Sequence, residues 1–351
     1  MLSDARYYPS LFIRNSEMRA LDELPAHEKD LIIPTIMLRP WVGSKTLEKS
    51  LERVEKAFPG RPYFLEIDRF YVPTDPKRKA ISDFIHLRNP DNYEDWFAFA
   101  GLSDFAIPCL RLDGADTTNI RKQIRVAEQS ERGFMFRVDK SAGHDVSAIV
   151  EAASSIDHAN YIFSADAGWN KDLLSDQLWM NGTVRSLGTV RPEVPVIVTG
   201  SSFPDAFGMA DPIATRPIRE RPLFDAAVAA NNAVRCLYGD WASARPPSPP
   251  APMTPVPRID IPGRLNWTFF RYKTDDGGYK TAAATAMQSD EWDESLNIWG
   301  TYLVRATANG HVDEITYPGI ATAARINLHL HRQANFDDPI GFLETEDDFE
   351  D

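Results

Sequence analysis

The sequence predicts an α/β fold: an eight-stranded parallel (β/α) barrel over residues 1–245 with an α+β extension after it. Three observations carry this. Short apolar runs bounded by Pro, Gly or Asp alternate with polar amphipathic stretches, the pattern of βα units and a parallel sheet. Eight such runs occur before residue 242, one for each strand of a barrel. The chain has 351 residues, which suits a barrel of ~250 residues plus a further segment. An open doubly wound sheet is the competing topology for the same alternation.

The predicted strands are Tyr8–Ile13, Leu31–Leu38, Tyr63–Asp68, Ala106–Asp113, Phe134–Asp139, Asn160–Asp166, Pro195–Ser201 and Cys236–Trp241. Between them, Ser16–Leu24 reads as a helix opened by a serine cap. Ser44–Ala57 does too, with Leu47, Leu51 and Val54 at helical spacing. Thr117–Glu128, Ser147–Ser155 and Asp225–Val234 follow the same logic. Tyr93, Trp96 and Phe97 also come at helical spacing, with Phe99 close behind, and read as core packing. Residues 203–224 contain Pro204, Pro212, Pro217 and Pro222, and read as a long irregular loop able to cover the barrel mouth.

Arg245–Pro257 contains seven prolines, each with a fixed φ and no donor N–H, so residues 246–257 are expected to form an extended linker. Beyond it, Arg264–Tyr272 and Tyr279–Met287 flank Asp275–Gly278 as a predicted hairpin. Thr301–Ala306 reads as a further short strand and Ala321–Arg332 as a helix. Residues 258–340 are therefore expected to form an α+β extension on the barrel, with Trp267, Phe269 and Phe270 packing the hairpin down. Residues 341–351 read as an acidic disordered tail.

The composition narrows the function classes. The hydrophobic fraction is 43% and the charged fraction 25%, ordinary for a globular chain that buries a large core. The formal net charge of −13 argues against an extensive nucleic-acid surface, which needs clustered Lys and Arg. No run of ~18 apolar residues is present to cross a membrane. The first residues lack a basic segment followed by an apolar one, so no signal peptide is expected and the cytoplasm is the expected location. The two cysteines, Cys109 and Cys236, lie in apolar predicted strands and carry neither a disulfide framework nor a metal-type spacing.

Strand alternation points charge into the barrel. In the fourth strand Ala106, Pro108, Leu110 and Leu112 form the face for the helices, which turns Arg111 and Asp113 inward. In the fifth, Phe134, Phe136 and Val138 face out, and Arg137 and Asp139 face in. The third turns Glu66 and Asp68 inward, and the sixth Ser164 and Asp166. Arg39 ends the second strand, Thr199 and Ser201 the seventh, and the eighth carries Asp240. All fall at the C-terminal ends of strands, the mouth of a barrel, where ligands bind.

Glu66, Asp68, Asp113, Asp139 and Asp166 are oxygen donors suited to Mg²⁺, or to general acid–base work. The interleaved Arg39, Arg111 and Arg137 suit an anion, since guanidinium forks bind phosphate or carboxylate. The bland reading is a set of structural Arg–Asp pairs plugging the mouth. No Walker loop, HExxH, GxSxG or CxxC is present. Gly168 reads as a turn residue. His329 and His331, two apart on a predicted helix, do not share a face and read as structural. His144 and His158 show no partner in the sequence.

Short motifs add a resemblance. Tyr8-Pro9, Leu11, Arg14, Glu17, Ala20-Leu21 and Ile33-Pro34, then Arg219–Arg221, Tyr238-Gly239-Asp240 and Ile326-x-Leu328-His329-x-x-Arg332-Gln333, together resemble the beta protein family of phage and bacterial genomes. The resemblance covers most of the chain. It implies a TIM-like barrel and a place among mobile-element or anti-phage defence genes, and marks Arg14, Glu17, Asp240 and His329 as motif positions. The family pattern usually has Lys at Arg14 and an acid at Arg39.

Two function classes follow. In the first, the mouth binds a phosphorylated or nucleotide-like small anion and hydrolyses it with Mg²⁺. Arg14, Arg39, Arg111 and Arg137, with Thr199, Ser201, Asp240 and His329, hold the ligand, and the five carboxylates act on it. In the second, the barrel is a non-catalytic, protein-binding subunit of a multi-protein complex. A glycosidase, needing two carboxylates roughly 5–9.5 Å apart across a cleft, is a third reading.

Overall fold

The computed structural model describes residues 2–205, 211–244, 255–312, 314–343 and 345. Residues 245–254 of the proline-rich stretch and residues 344 and 346–351 of the acidic tail lie outside the described residues, whereas 341–343, expected to be part of that disordered tail, end a short helix, Pro339–Leu343. The chain forms two compact units. The first comprises Met1–Ile13, Ile32–Ser202 and Arg219–Trp241, and the second Arg14–Leu31, Phe203–Ile218 and Ala242–Asp351.

The first unit is the barrel. Its strands are β1 (Tyr8–Phe12), β2 (Thr35–Leu38), β3 (Tyr63–Ile67), β4 (Ala106–Pro108), β5 (Phe134–Asp139), β6 (Tyr161–Trp169), β7 (Val196–Ser201) and, after β8 (Ile213–Pro217) of the other unit, β9 (Cys236–Asp240). Among the described residues these eight pair in parallel in the order β4-β3-β2-β1-β9-β7-β6-β5. Pro108, which lacks a donor N–H, ends β4 after three residues. The ring closes just past it, where a parallel bridge joins Cys109 to Met135 and Leu110 N–H donates to Met135 O at 2.9 Å.

Helices follow the strands: Glu48–Ala57, Thr117–Ala127 and Val146–Ala153 match predicted segments, Glu220–Ala230 begins earlier than the predicted Asp225–Val234, and Lys79–Arg88 and Gln177–Gly188 have no predicted counterpart. In chain order α1 (Asn15–Asp22) and α2 (Ala26–Lys29) belong to the second unit. The barrel carries α3 (Glu48–Ala57), α4 (Lys79–Arg88), α5 (Tyr93–Ala100), α6 (Thr117–Ala127), α7 (Val146–Ala153), α8 (Gln177–Gly188) and α9 (Glu220–Ala230). Asp116 caps α6 by accepting from Asn119 N–H at 2.7 Å, and Asp145 caps α7 by accepting from Ser147 N–H at 2.9 Å. The α3 helix begins at Glu48 and not at Ser44, whose hydroxyl donates to Trp41 O.

The barrel's two faces match the alternation. Leu110, Leu112, Phe134, Phe136 and Val138 join the cluster under the helices. Tyr8, Phe64, Ile107, Cys109, Met135, Ile162 and Ile197 form an apolar layer inside the barrel. Phe12, Met37 and Trp241 pack together one layer higher. The charged side chains share the inward face with this upper layer.

The second unit pairs β10 (Arg258–Pro262), β11 (Asn266–Arg271) and β8 into an antiparallel sheet, with α10 (Gly278–Met287), α11 (Trp299–Asn309), α12 (Pro318–Ala334) and α13 (Pro339–Leu343). Three expectations are corrected here. Tyr279–Met287 is helical, because Ala282, Ala283 and Ala286 form a small-residue stripe buried in the core. The hairpin is β10–β11 instead. Thr301–Ala306 lies in α11, where Thr301 Oγ1 accepts from Ile298 N–H and closes a capping turn. Residues 203–224 are not one loop: Ile213–Pro217 forms an edge strand, where proline is tolerated. Pro222 lies in the first turn of α9, where its missing N–H has no helical acceptor to lose.

Gly239 is needed for closure. A Cβ there would lie 2.7 Å from Thr199 Oγ1 and 2.7 Å from Tyr8 O, so the strands could not approach as they do. Gly239→Ala is expected to lower stability by about 1–3 kcal/mol, the usual range for overpacking. Gly182→Ala, in α8 with open space around the added methyl, should instead raise it by about 0.5–1 kcal/mol. Urea unfolding of both variants checks the pair; a neutral Gly239→Ala would contradict the packing.

Candidate functional site

The upper layer of the barrel is built from successive strands. Inward alternation brings Glu66 from β3, Arg137 and Asp139 from β5 and Asp166 from β6 to the C-terminal half of the barrel interior, with Asp139 and Asp166 in register across the β5–β6 pair and Arg137 in register with Ser164. Arg39 and Asp68 sit just past β2 and β3, and Arg111 and Asp113 just past β4. Thr199 is in register with Asp166 and is buried, as is Ser201.

Each carboxylate meets a cation or a histidine. Asp68 takes Arg39 through Nε at 2.6 Å and again through Nη2, while its other oxygen accepts from Phe70 N–H. Arg137 donates to Asp166, whose Oδ1 also accepts from Gly168 N–H at 2.9 Å and Trp241 Nε1 at 3.2 Å. The Arg137 guanidinium lies 4.9 Å from the Trp241 ring centre. Glu66 accepts from Arg111 Nη1 at 3.0 Å. Asp139 Oδ2 lies 2.8 Å from Arg69 Nη2, and its Oδ1 accepts from Ser141 N–H and Oγ. His144 joins two strands: Asp139 N–H donates to its Nδ1 at 3.1 Å, and its Nε2 lies 3.0 Å from Asp113. With Nδ1 accepting, the ring proton sits on Nε2 and points at the Asp113 carboxylate.

Burial and charge shape this layer. Burial pushes the Glu66 carboxyl above its ordinary value, against the pull of Arg111 and Arg137. The hydrogen bond from His144 holds Asp113 below its own, outweighing its burial. Burial opposes the charge of Arg137, but Asp166, Asp139 and Glu66 together outweigh it and hold the guanidinium protonated. A cavity of about 30 Å³ is lined by the cations Arg69, Arg111 and Arg137 and by His144, by the carboxylates Glu66, Asp113 and Asp139, and by the apolar Met37, Phe70 and Trp241. That is room for about one water. Arg111 lines it, and its Nε is buried and without an acceptor among the described residues. Among the described residues no three His, Cys, Asp or Glu side chains converge as a metal site.

Sequence reasoning missed three participants. Arg69 lies past the end of β3, where alternation no longer predicts direction. His144 gains partners only through the fold. Trp241 follows β9 and takes the inward place given to Asp240. That residue points the other way: Tyr238, on its face of the strand, packs edge-on against Phe224 of α9, and both Tyr7 and Tyr238 hydroxyls donate to Asp240. Arg221 stacks over Tyr238 at 3.4 Å. Glu220 is buried near them, accepting from Ser202 N–H and Oγ, both at 2.7 Å.

The family model described as Beta protein matches residues 7–335. The chain belongs to the beta protein family. It is 26% identical over 361 residues to Protein beta of Enterobacteria phage P4, with 97% of each chain covered. The motif positions fall into both units. Asp240 and Arg219–Arg221 belong to the barrel, whereas Arg14, Glu17 and His329 belong to the second unit. There Arg14 lies 3.5 Å from Glu17, and His329 stacks on Trp267. His331, two residues on, is buried between Glu28 and Phe342 O. Among the described residues no helix is long and apolar enough to cross a membrane.

The Glu220 carboxyl, ordinarily near 4.5, is pushed up to about 7 by burial, with Asp240 adding to it. The folded state keeps this proton over a range where the unfolded chain has released it. Stability from this group is therefore present below the unfolded value and lost as pH rises through the folded one. Glu220→Gln, which preserves the acceptor for Ser202 N–H, should remove this loss. Its melting-temperature advantage over wild type should grow from about pH 5 to about pH 8. Equal pH slopes for the two proteins would contradict this placement of the charge.

Proposed function

We propose that the barrel is a binding protein whose mouth takes one anionic group of a small ligand, a phosphoryl or a carboxylate. The observation that carries this is Arg111, which lines the cavity and whose buried Nε–H has no acceptor among the described residues. A buried donor without a partner costs about 1–3 kcal/mol, and an oxyanion at the cavity would satisfy it. Arg69 is the cation best placed to move. Its side chain is 24% exposed; it also donates to Ser141 Oγ, and its partner Asp139 is anchored besides by the Ser141 and Ala142 backbone N–H groups. Arriving anions would exchange with Asp139 at Arg69 and widen the one-water space.

The arrangement supports binding rather than hydrolysis. Every inward carboxylate is engaged by a cation or a histidine, which leaves none poised to act as a base. The likeness to a phage protein supports a setting in mobile-element or anti-phage biology. A second reading has its own observation: each carboxylate of the ring already has a cation or a histidine as its partner. In that case the charges seal the barrel and the chain acts through a protein partner.

A thermal-shift series with inorganic phosphate, sugar phosphates and nucleotides separates these. Ligand binding to the folded state raises the melting temperature. Wild type should shift with a phosphorylated compound, Arg69→Gln should lose the shift, and Asp139→Asn, which removes the competing charge, should keep or enlarge it. No shift with any compound, or an unchanged shift in Arg69→Gln, would favour the sealed, partner-binding reading.

A further inference from the structure

The second unit holds a larger cavity of its own, of about 380 Å³. That is within the range of small-molecule sites, roughly 300–1,000 Å³. Its wall is built from separate pieces of chain. The start of α1 supplies Arg14, Ser16 and Glu17; β10 supplies Arg258 and Asp260; α12 supplies Thr322 and Arg325. Phe203 and Tyr279 add aromatic surface, and Asp205 a further carboxylate.

The chemistry of this wall is uneven. Asp260 is buried and serves two guanidiniums. Arg258 grips it as a fork, Nε to Oδ1 at 2.5 Å and Nη2 to Oδ2 at 2.8 Å, and Arg325 Nη1 reaches Oδ2 at 2.8 Å. Burial would push the Asp260 carboxyl up, but the two arginines outweigh it and hold it below its ordinary value. Arg325 is itself 6% exposed, and its guanidinium carbon lies over the Phe203 ring, 4.3 Å from its centre. Its Nε is buried with no acceptor among the described residues. One carboxylate is thus shared between two cations, and a guanidinium donor is left over beside a cavity of ligand size. Arginine's planar fork matches an oxyanion. The hydroxyls of Ser16, Thr322 and Tyr279 and the carboxylates nearby suit a ligand remainder rich in hydroxyl groups.

We propose that this cavity binds a phosphorylated polyol, a sugar phosphate or a nucleotide, with its phosphoryl group at Arg325 and Arg258 and its hydroxyls toward the carboxylate side. This site lies wholly within the second unit and does not depend on the reading of the barrel mouth.

Calorimetric titration of the full chain with ribose 5-phosphate, ADP, free ribose and citrate tests it. Ribose 5-phosphate or ADP should bind, with ribose at least about 10-fold weaker, since a charge-assisted hydrogen bond contributes about 1.5–3 kcal/mol. Which of the two binds more tightly distinguishes a sugar phosphate from a nucleotide. Arg325→Gln, which leaves Asp260 with Arg258, should weaken binding about 10-fold or more. Ala321→Trp, on the same wall of α12, should abolish it by filling the space, and it carries the test alone if Arg325→Gln does not fold. Unchanged affinity in Ala321→Trp, equal binding of ribose and its phosphate, tighter binding of citrate, or no binding of any probe would each overturn the assignment.

Discussion

Closing a parallel sheet on itself forces one side chain in two from every strand toward a common axis, and in this barrel the upper layer of that axis is charged. A guanidinium or carboxylate taken out of water costs several kcal/mol unless its partner is close and its remaining hydrogen bonds are filled. Arg137 and Asp166 show how this is met. Asp166 accepts from Arg137, Gly168 N–H and Trp241 Nε1, and the guanidinium lies over the Trp241 ring. The local backbone follows from it. The β6–β7 register shifts between Asp166 and Trp169, and Gly168 takes a φ of +72°, so that its N–H can turn back onto the carboxylate. The Arg39–Asp68, Arg111–Glu66 and Arg69–Asp139 pairs extend the same solution round the ring.

Much of this was legible in the sequence because strand parity is a local property. Leu110 and Leu112 on one face dictate Arg111 on the other, and Phe134, Phe136 and Val138 do the same for Arg137 and Asp139. Where an apolar face is ambiguous, parity fails. In Cys236–Trp241 either set can pass as the core face, and a slip of one residue exchanges the two. The inward place belongs to Trp241, and Asp240 is turned to the tyrosines and α9. Loop residues are illegible for a different reason. Arg69 and His144 have no periodicity to orient them, and their partners lie 70 and 31 positions away in the chain.

The second unit was read least well. Its elements are decided by distant pairing: β8 is a strand because β11 offers it an edge, and Gly278–Met287 is a helix because small residues fit the core it packs on. The motif residues Arg14 and Glu17 precede or begin α1, close to the barrel's first strand in sequence, yet they line a cavity with β10 and α12. Nothing in their spacing indicates this. Both cavities share one chemical feature, a lining arginine held by a carboxylate through a terminal nitrogen while its Nε–H has no acceptor among the described residues. That recurrence supports the proposal that the chain binds oxyanions.

The dependence of the barrel on paired inward charge is tested most directly by a double-mutant cycle on Arg137 and Asp166, read by urea unfolding. Arg137→Met alone strands a buried carboxylate and should cost about 3–5 kcal/mol. Adding Asp166→Asn should restore part of that loss, so that the double variant is more stable than Arg137→Met by itself. Costs that simply add, to within about 0.5 kcal/mol, would mean the two side chains do not depend on each other and that something other than pairing makes the charged layer tolerable.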